Sequence, residues 1–485
     1  MRPRIHTTIV SLTIALSFTI ALSAVLCDPV AQALPGDHLW KDWVFTSGVY
    51  EDEEAVAVEI APGGYPVIVG SAVQTAGGDT DIRYRSYQPT SSIDRWSGAA
   101  LPWDGPGGGD DTAAGVAIDN AGAIYVAGTA TMPGGGSDIV ILKVDPATGL
   151  PAASPWPRFY DGPGTDDEAE AIARDANGNV YVTGGSQRAD GSWDMVTVKY
   201  RPDGNRAWVK RHDNGGTRFD RGLAIVVQGS SVYVAGTSRR TGHADDVVLI
   251  RYTTGGKRLW VRYYDDPQHR SETVTAIACH GTSVYLCGAA QFTAVKPGQA
   301  MLLKYGRGGA LRWVRFAGQK DGDDAWLDVA VDSRARVHVT GTFFQTGTAG
   351  DITTSVYRAD GRRQWRAYFS SSGNRHDTGT ALAVDAARRT YVCGSIENAT
   401  GTTDMIVLCY GPASVSSQWY SRYPDPLAHP SGAGAETDSG ADRANDIALV
   451  SGALYVVGAS TVAHPAAPPS PAGQSLDFQT VKMER

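Results

Sequence analysis

Residues 178–186 read GNVYVTGGS, and DMVTVKYRPDGNRAW follows at 194–208. This stretch sits inside a run of four strand signals: AEAIARD (169–175), VYVTG (180–184), DMVTVKY (194–200) and WVKRH (208–212). Asn177-Gly178 and Asp203-Gly204 break the run at two of the three connections. Apolar runs of five to seven residues cut by Asn-Gly and Asp-Gly are hairpin-linked strands, because such pairs supply the positive φ of tight turns. The pattern carries no helical periodicity.

The same phrase recurs through the chain as VIVGSA (67–72), IYVAGTA (124–130), VYVAGTS (232–238), VYLCGAA (284–290), VHVTGTF (337–343), TYVCGSI (390–396) and LYVVGAS (454–460). Its glycines stand at 70, 128, 184, 236, 288, 341, 394 and 458, so a unit of about fifty residues repeats. A fixed period of that size marks a propeller or solenoid, and four strands per unit select the propeller. The expectation is an all-β, eight-bladed β-propeller of four-stranded antiparallel blades occupying residues 34–485. The last repeat stops after its third strand, DFQTVKM (477–483), while an orphan fourth strand, Trp40 to Phe45, precedes the first repeat. That N-terminal strand is expected to complete the last blade and close the ring, leaving no exposed edge.

A tryptophan marks the fourth strand of every unit: Trp40, Trp96, Trp156, Trp208, Trp260, Trp313, Trp365 and Trp419. One large ring per unit is expected to wedge between neighbouring sheets rather than serve as a substrate platform. GNVYVTGGS with DMVTVKYRPDGNRAW resembles the bacterial SBBP β-propeller repeat family, over essentially all of residues 37–485. The resemblance implies an exported, surface-associated propeller and says little about chemistry. The Gly-x-x-x-Trp feature is also similar to the tryptophan-docking motif of eight-bladed quinoproteins and related outer-membrane assembly propellers.

Composition agrees with a turn-rich globular chain. Of 485 residues, 57 are Gly and 25 Pro; 42% are hydrophobic and 19% charged. These values exclude a disordered chain, collagen and a long coiled coil. The net charge of −8 comes without basic runs, which excludes a nucleic-acid partner. Arg2 and Arg4, the apolar stretch Ile9 to Leu26 and Ala31-Gln32-Ala33 read as a signal peptide over residues 1–33. A secreted or cell-surface monomer is expected; Leu26 is a poor residue to precede a lipidated Cys27. Cys279, Cys287, Cys393 and Cys409 are expected to be small buried hydrophobes.

Two sets of acidic residues recur in register. Glu53, Asp111, Asp167, Asp220, Glu272, Asp324, Asp377 and Asp442 precede or open the first strands. Asp81, Asp138, Asp194, Asp246, Asp351, Asp404 and Asp477 open the third strands, with Gln299 as the departure. First and third strands of an up-down blade start at the same end, so both sets are expected on one rim. Either they cap loop N–H groups or they bind Ca²⁺, for which the local cluster Asp161, Asp166, Asp167 and Glu168 is the candidate. No other cofactor is expected.

The longest irregular connections lie at 97–110, 424–441 and 461–476, all on that acidic end. They make Trp103, Asp104, His429, Glu436 and His464 the candidate residues for binding a protein or glycan partner. No HExxH, GxSxG or phosphate loop occurs, and the histidines are scattered. The expected function is a non-enzymatic binding scaffold. A quinone-dependent dehydrogenase or a polysaccharide hydrolase or lyase is the alternative.

Overall fold

The repeat phrases are buried along nearly their whole length, on both faces, as strands inside sheets stacked side by side must be. The structure, a computed structural model, describes residues 38–43, 53–73, 78–89, 93–96, 102–215, 219–239, 244–266, 269, 271–291, 298–318, 322–345, 349–373, 375–399, 401–413, 416–423, 441–462 and 475–484. The signal-peptide reading of 1–33 and the loop residues His429, Glu436 and His464 fall outside these. Among the described residues no helix is long and apolar enough to cross a membrane.

The chain is an all-β propeller built of four-stranded antiparallel blades. Repeat 3 is the pattern, with strands Asp167–Arg174, Val180–Gln187, Trp193–Tyr200 and Arg206–His212 in hairpin order. The first strands of consecutive repeats pack on one another, so they form the inner edges. The core lies between sheets: Tyr181 and Met195 of repeat 3 pack with Ile225, Val234 and Val248 of repeat 4.

The expectation of eight four-stranded blades is met by seven. The sheet of repeat 1 has three strands, Glu53–Ala61, Tyr65–Val73 and Thr80–Ser86. Its Trp96 segment is held differently, because the chain folds back at once through the Tyr87–Asp94 bridge and a 2.7 Å Arg85–Asp94 ion pair. Trp103 then returns to the edge, donating its N–H to the Ile82 carbonyl and accepting from the Ile82 N–H. Among the described residues the pairing there is confined to that single bridge. The N-terminal strand His38–Trp43 pairs antiparallel with the last strand, Ser475–Glu484, from His38↔Met483 to Trp43↔Gln479. The Val58 N–H of repeat 1 donates to Asp446 Oδ2 of repeat 8 at 2.8 Å.

From Gly128 onward the recurrent glycines share a steric reason. In repeat 3 the register of first against second strand slips at Thr183/Gly184, and a Cβ on Gly184 would lie 1.8 Å from the Glu168 carbonyl oxygen. Only glycine lets the first strand bulge inward there. The tryptophans work between repeats. Trp208, Trp260 and Trp313 lie against the positive-φ turn glycines Gly256, Gly309 and Gly361 of the following repeat, where a Cβ would come within 2.9 Å of the ring. Each indole N–H donates at 3.1 Å to a carbonyl in that same turn: Thr254, Arg307 and Ala359. Among the described residues the four cysteines are free; Cys287, Cys393 and Cys409 are buried and Cys279 is half-buried.

Candidate functional site

The acidic rim of the sequence reading is a set of buried carboxylates. Asp81, Asp111, Asp138, Asp167, Asp194, Asp220, Asp246, Glu272, Asp324, Asp351, Asp377, Asp404 and Asp442 are all buried. The end of the propeller that carries them therefore does not present them as an acidic surface.

Their first task follows from where they sit. A carboxylate opening a first strand stands between two loops that reverse direction, and those loops carry N–H groups that strand pairing leaves over. Asp111 accepts from Gly105 N–H and, at 2.9 Å, from Thr131 N–H. Asp377 accepts from the N–H and hydroxyl of Ser371 and from Glu397 N–H. Asp167 and Asp220 accept from Gly162 N–H at 2.5 Å and Asn214 N–H at 2.9 Å. Each thus ties the connection before its own strand, and in Asp111 and Asp377 also the loop between strands two and three. Burial raises all four of these groups, Asp111 to about 6.

A second arrangement appears where repeats meet. The residue opening a third strand, the residue just after the fourth strand and the residue opening the next first strand converge. Between repeats 2 and 3 these are Asp138, Asp161 and Asp167, each with a carboxylate oxygen within 4.8 Å of the others. Between repeats 4 and 5 they are Asp246, Asp265 and Glu272. At the repeat 1–2 junction Asp81 and Asp104 gather with Asp79 instead. Burial, then Asp161 and Asp167, pushes Asp138 up to about 6. Burial, with Asp266 and Asp246, pushes Glu272 up to about 8.

The cluster expected from sequence, Asp161, Asp166, Asp167 and Glu168, is corrected accordingly. Asp161 and Asp167 come together, but their third partner is Asp138 from the neighbouring sheet. Asp166 is half-buried in a bridge to Ser137, near the Thr165 hydroxyl. Glu168 forms an ion pair with Arg221, because successive strand residues point to opposite faces. Of the partner-loop residues, Trp103 is half-buried against Phe159 with centroids 6.3 Å apart, and Asp104 is exposed beside Asp79 and Asp81.

The structure also brings together a pair that sequence reasoning passed over. Trp193, just before the third-strand Asp194, stacks on Phe219, just before the first-strand Asp220, at 6.1 Å and 17° between planes. Phe219 is 61% exposed. Arg221 lies over Trp193 at 5.9 Å and pairs with Glu170 at 2.7 Å. The available signal was that Trp193 stands outside the fourth-strand position of the recurrent tryptophans.

No family model matches this chain, so the SBBP resemblance rests on the quoted repeat phrases alone. No curated protein matches it in sequence. Among solved structures it is similar to the periplasmic gluconolactonase of Pseudomonas aeruginosa, with 12% identity and a TM-score of 0.40 over 71% of this chain and 92% of that one. A Dyadobacter fermentans protein of unknown function aligns over 93% of this chain and all of its own, at 10% identity and TM-score 0.41. An acylaminoacyl peptidase of Pyrococcus horikoshii aligns over 75% of this chain and 52% of its own, at 10% identity and TM-score 0.42.

Proposed function

We propose that this protein is an exported, non-enzymatic binding scaffold that takes a glycan partner through the end of the propeller where the buried carboxylates fix the loops. The observation that carries the reading is the Trp193–Phe219 step. An exposed phenylalanine stacked on a tryptophan, bordered by ion-paired Arg221, Glu168 and Glu170, is a flat apolar surface with polar groups at its edge. Such a surface suits the apolar face of a sugar ring, with the rim groups available to hydroxyls. Loops held by buried hydrogen bonds lose little entropy on binding, which favours recognition by a rigid site. In this reading all eight repeats form one closed ring, with the N-terminal strand as its clasp. A protein partner at the same loops, as the sequence also allowed, is the competing outcome.

The test is binding of the purified protein to a panel of immobilised polysaccharides, with Phe219→Ala alongside. The expected result is selective retention on one polysaccharide class, weakened about tenfold or more in Phe219→Ala with an unchanged melting temperature. Retention that Phe219→Ala leaves untouched would remove the aromatic step from the site, and retention on none would sink the glycan reading.

A further inference from the structure

The junction between repeats 2 and 3 gathers three carboxylates, and among the described residues no arginine or lysine forms an ion pair with them. Asp138 is 7% exposed and accepts no hydrogen bond from any described residue; burial and the two neighbouring carboxylates are what act on it. Asp167 accepts from the Gly162 N–H through one oxygen; its buried Oδ1 has no hydrogen-bond partner within 3.5 Å, and the nearby Ser186 hydroxyl eases its charge. Asp161 is exposed at the mouth of the group. Three carboxylates this close do not all ionise in a protein interior without compensation.

The molecule contains its own comparison. One junction further on, Asp194, Asp213 and Asp220 occupy the same three positions. There Arg211 donates to Asp194 Oδ2 at 3.0 Å, and Arg188 reaches both Asp213, at 2.5 Å, and Asp194, at 3.7 Å. Arg211 stands opposite Val196, two residues past Asp194. In repeat 2 the matching place, opposite Val140, is Phe159. Repeat 7 again has an arginine there: Arg422, opposite Ile406, pairs with Asp404. Where the fourth strand carries arginine, a side chain supplies the cation. At the repeat 2–3 junction a guanidinium that does act is Arg211 itself. It eases Asp167 from across repeat 3, but its donors are committed to Asp194, Ser186 and Tyr160.

We propose that Asp138, Asp161 and Asp167 form a Ca²⁺ site that does for the repeat 2–3 junction what Arg188 and Arg211 do for the next. Ca²⁺ takes six to eight oxygens at 2.3–2.6 Å in flexible geometry, so three carboxylate oxygens within 4.8 Å of one another can share one ion. Mg²⁺ demands near-ideal octahedral geometry and gives up its waters reluctantly, which suits three carboxylates from separate strands and loops less well. Exposed Asp161 gives the ion its entry, and water fills the outer positions. The Asp246–Asp265–Glu272 group has the same placement, with Tyr263 opposite Val248 in the arginine place, but there the His269 ring pairs with Asp265 at 2.7 Å. Neither Glu272 oxygen, fully buried, has a hydrogen-bond partner within 3.5 Å; the nearby Asp266 N–H eases its charge.

The experiment is calorimetric titration of the chelator-stripped protein with Ca²⁺, repeated with Asp161→Asn, together with melting curves in EGTA and in Ca²⁺. Affinity is expected at about 0.1–1 mM, as for extracellular calcium modules, and saturation should raise the melting temperature by about 1–3 °C. Asp161→Asn, a change at an exposed side chain, should bind one ion fewer. It should melt above the parent in EGTA, where a repulsion has been removed, and below it in Ca²⁺. No uptake by the parent, or undiminished stoichiometry in Asp161→Asn, would overturn the site; equal competition by Mg²⁺ would overturn its assignment to calcium.

Discussion

The junctions on either side of repeat 3 are built on one plan and balanced in two ways. Both place an acidic residue at the opening of a third strand, one after the fourth strand and one at the opening of the next first strand. On one side the triad is Asp194, Asp213 and Asp220, crossed by Arg188 and Arg211. On the other it is Asp138, Asp161 and Asp167, with Phe159 where Arg211 would stand. The difference teaches that the repeated carboxylates are part of how the loops are held, while the counter-charge varies from junction to junction. A protein that needed only loop caps would have no reason to gather three carboxylates at one point, since Asp377 caps both its loops without such company.

The largest effect should come from making the arginine junction resemble the other one. Arg211→Leu removes a guanidinium bonded to Asp194, Ser186 and Tyr160 and leaves Arg188 as the cation on Asp194 and Asp213. A loss of about 2–4 kcal/mol is expected, as for breaking a largely buried ion pair. Denaturant unfolding in EGTA measures it. If the two junctions are interchangeable in principle, Ca²⁺ should restore part of the loss in Arg211→Leu while doing nothing for that junction in the parent. A variant whose loss is the same with and without Ca²⁺ breaks the comparison.

Acidity should act on the two sides with opposite sign. Asp138 is raised to about 6 from an unfolded value near 4, so between those values the folded state holds the extra proton. Its contribution to stability is therefore present at low pH and lost as pH rises through 6. His212, which follows Arg211 and shares a 2.9 Å hydrogen bond with the Tyr263 hydroxyl, is buried and pushed down to about 4. Between 4 and 6.5 the unfolded state holds its proton instead, so stability at that junction is lost as pH falls through the same window. Each contribution is about 1–2 kcal/mol. Melting curves in EGTA from pH 4.5 to 7.5 should find the parent falling relative to Asp138→Asn as pH rises, and falling relative to His212→Gln as pH drops. Asp111 and Glu272 are also raised by burial, so the reading is the difference between each variant and the parent.

Most of the fold was legible because its constraints are local and repeated. Gly184 is fixed by a carbonyl on the adjacent strand, and Trp208 by a turn at the same place in the next repeat, so each leaves a mark at constant spacing. The fourth strand of repeat 1 was misjudged because Trp96 keeps its buried role, 6.0 Å edge-on to Tyr84, although its segment turns back through the Tyr87–Asp94 bridge and forms no ladder. The carboxylate cluster was half legible. Reading along the chain joined Asp161 to Asp166, Asp167 and Glu168, but a strand sends Glu168 to the opposite face, and Asp138 arrives from another sheet. Both acidic sets were visible in register. What was missing was the step of placing the third strand of one repeat beside the first strand of the next. The Trp193–Phe219 pair has no periodic mark, because it occurs in one repeat and is made by two loops.

The smallest change expected is also the most discriminating. Phe159→Arg puts a guanidinium in repeat 2 at the position Arg211 holds in repeat 3, within reach of Asp138 by the same register. It gives up the contact with Trp103, worth about 0.5–1.5 kcal/mol, and gains an ion pair of similar size. Stability in EGTA should therefore stay within about 1 kcal/mol of the parent, which melting curves can follow. The calcium response is what should change, because the arginine occupies the place of the ion: Phe159→Arg should bind one Ca²⁺ fewer by calorimetry. Phe159→Leu separates charge from packing, since it loses the aromatic contact and brings no cation. It should be less stable than the parent and keep the full stoichiometry. If Phe159→Leu and Phe159→Arg lose the ion alike, the junction depends on the aromatic wall and not on the missing charge, and the equivalence of calcium and arginine fails.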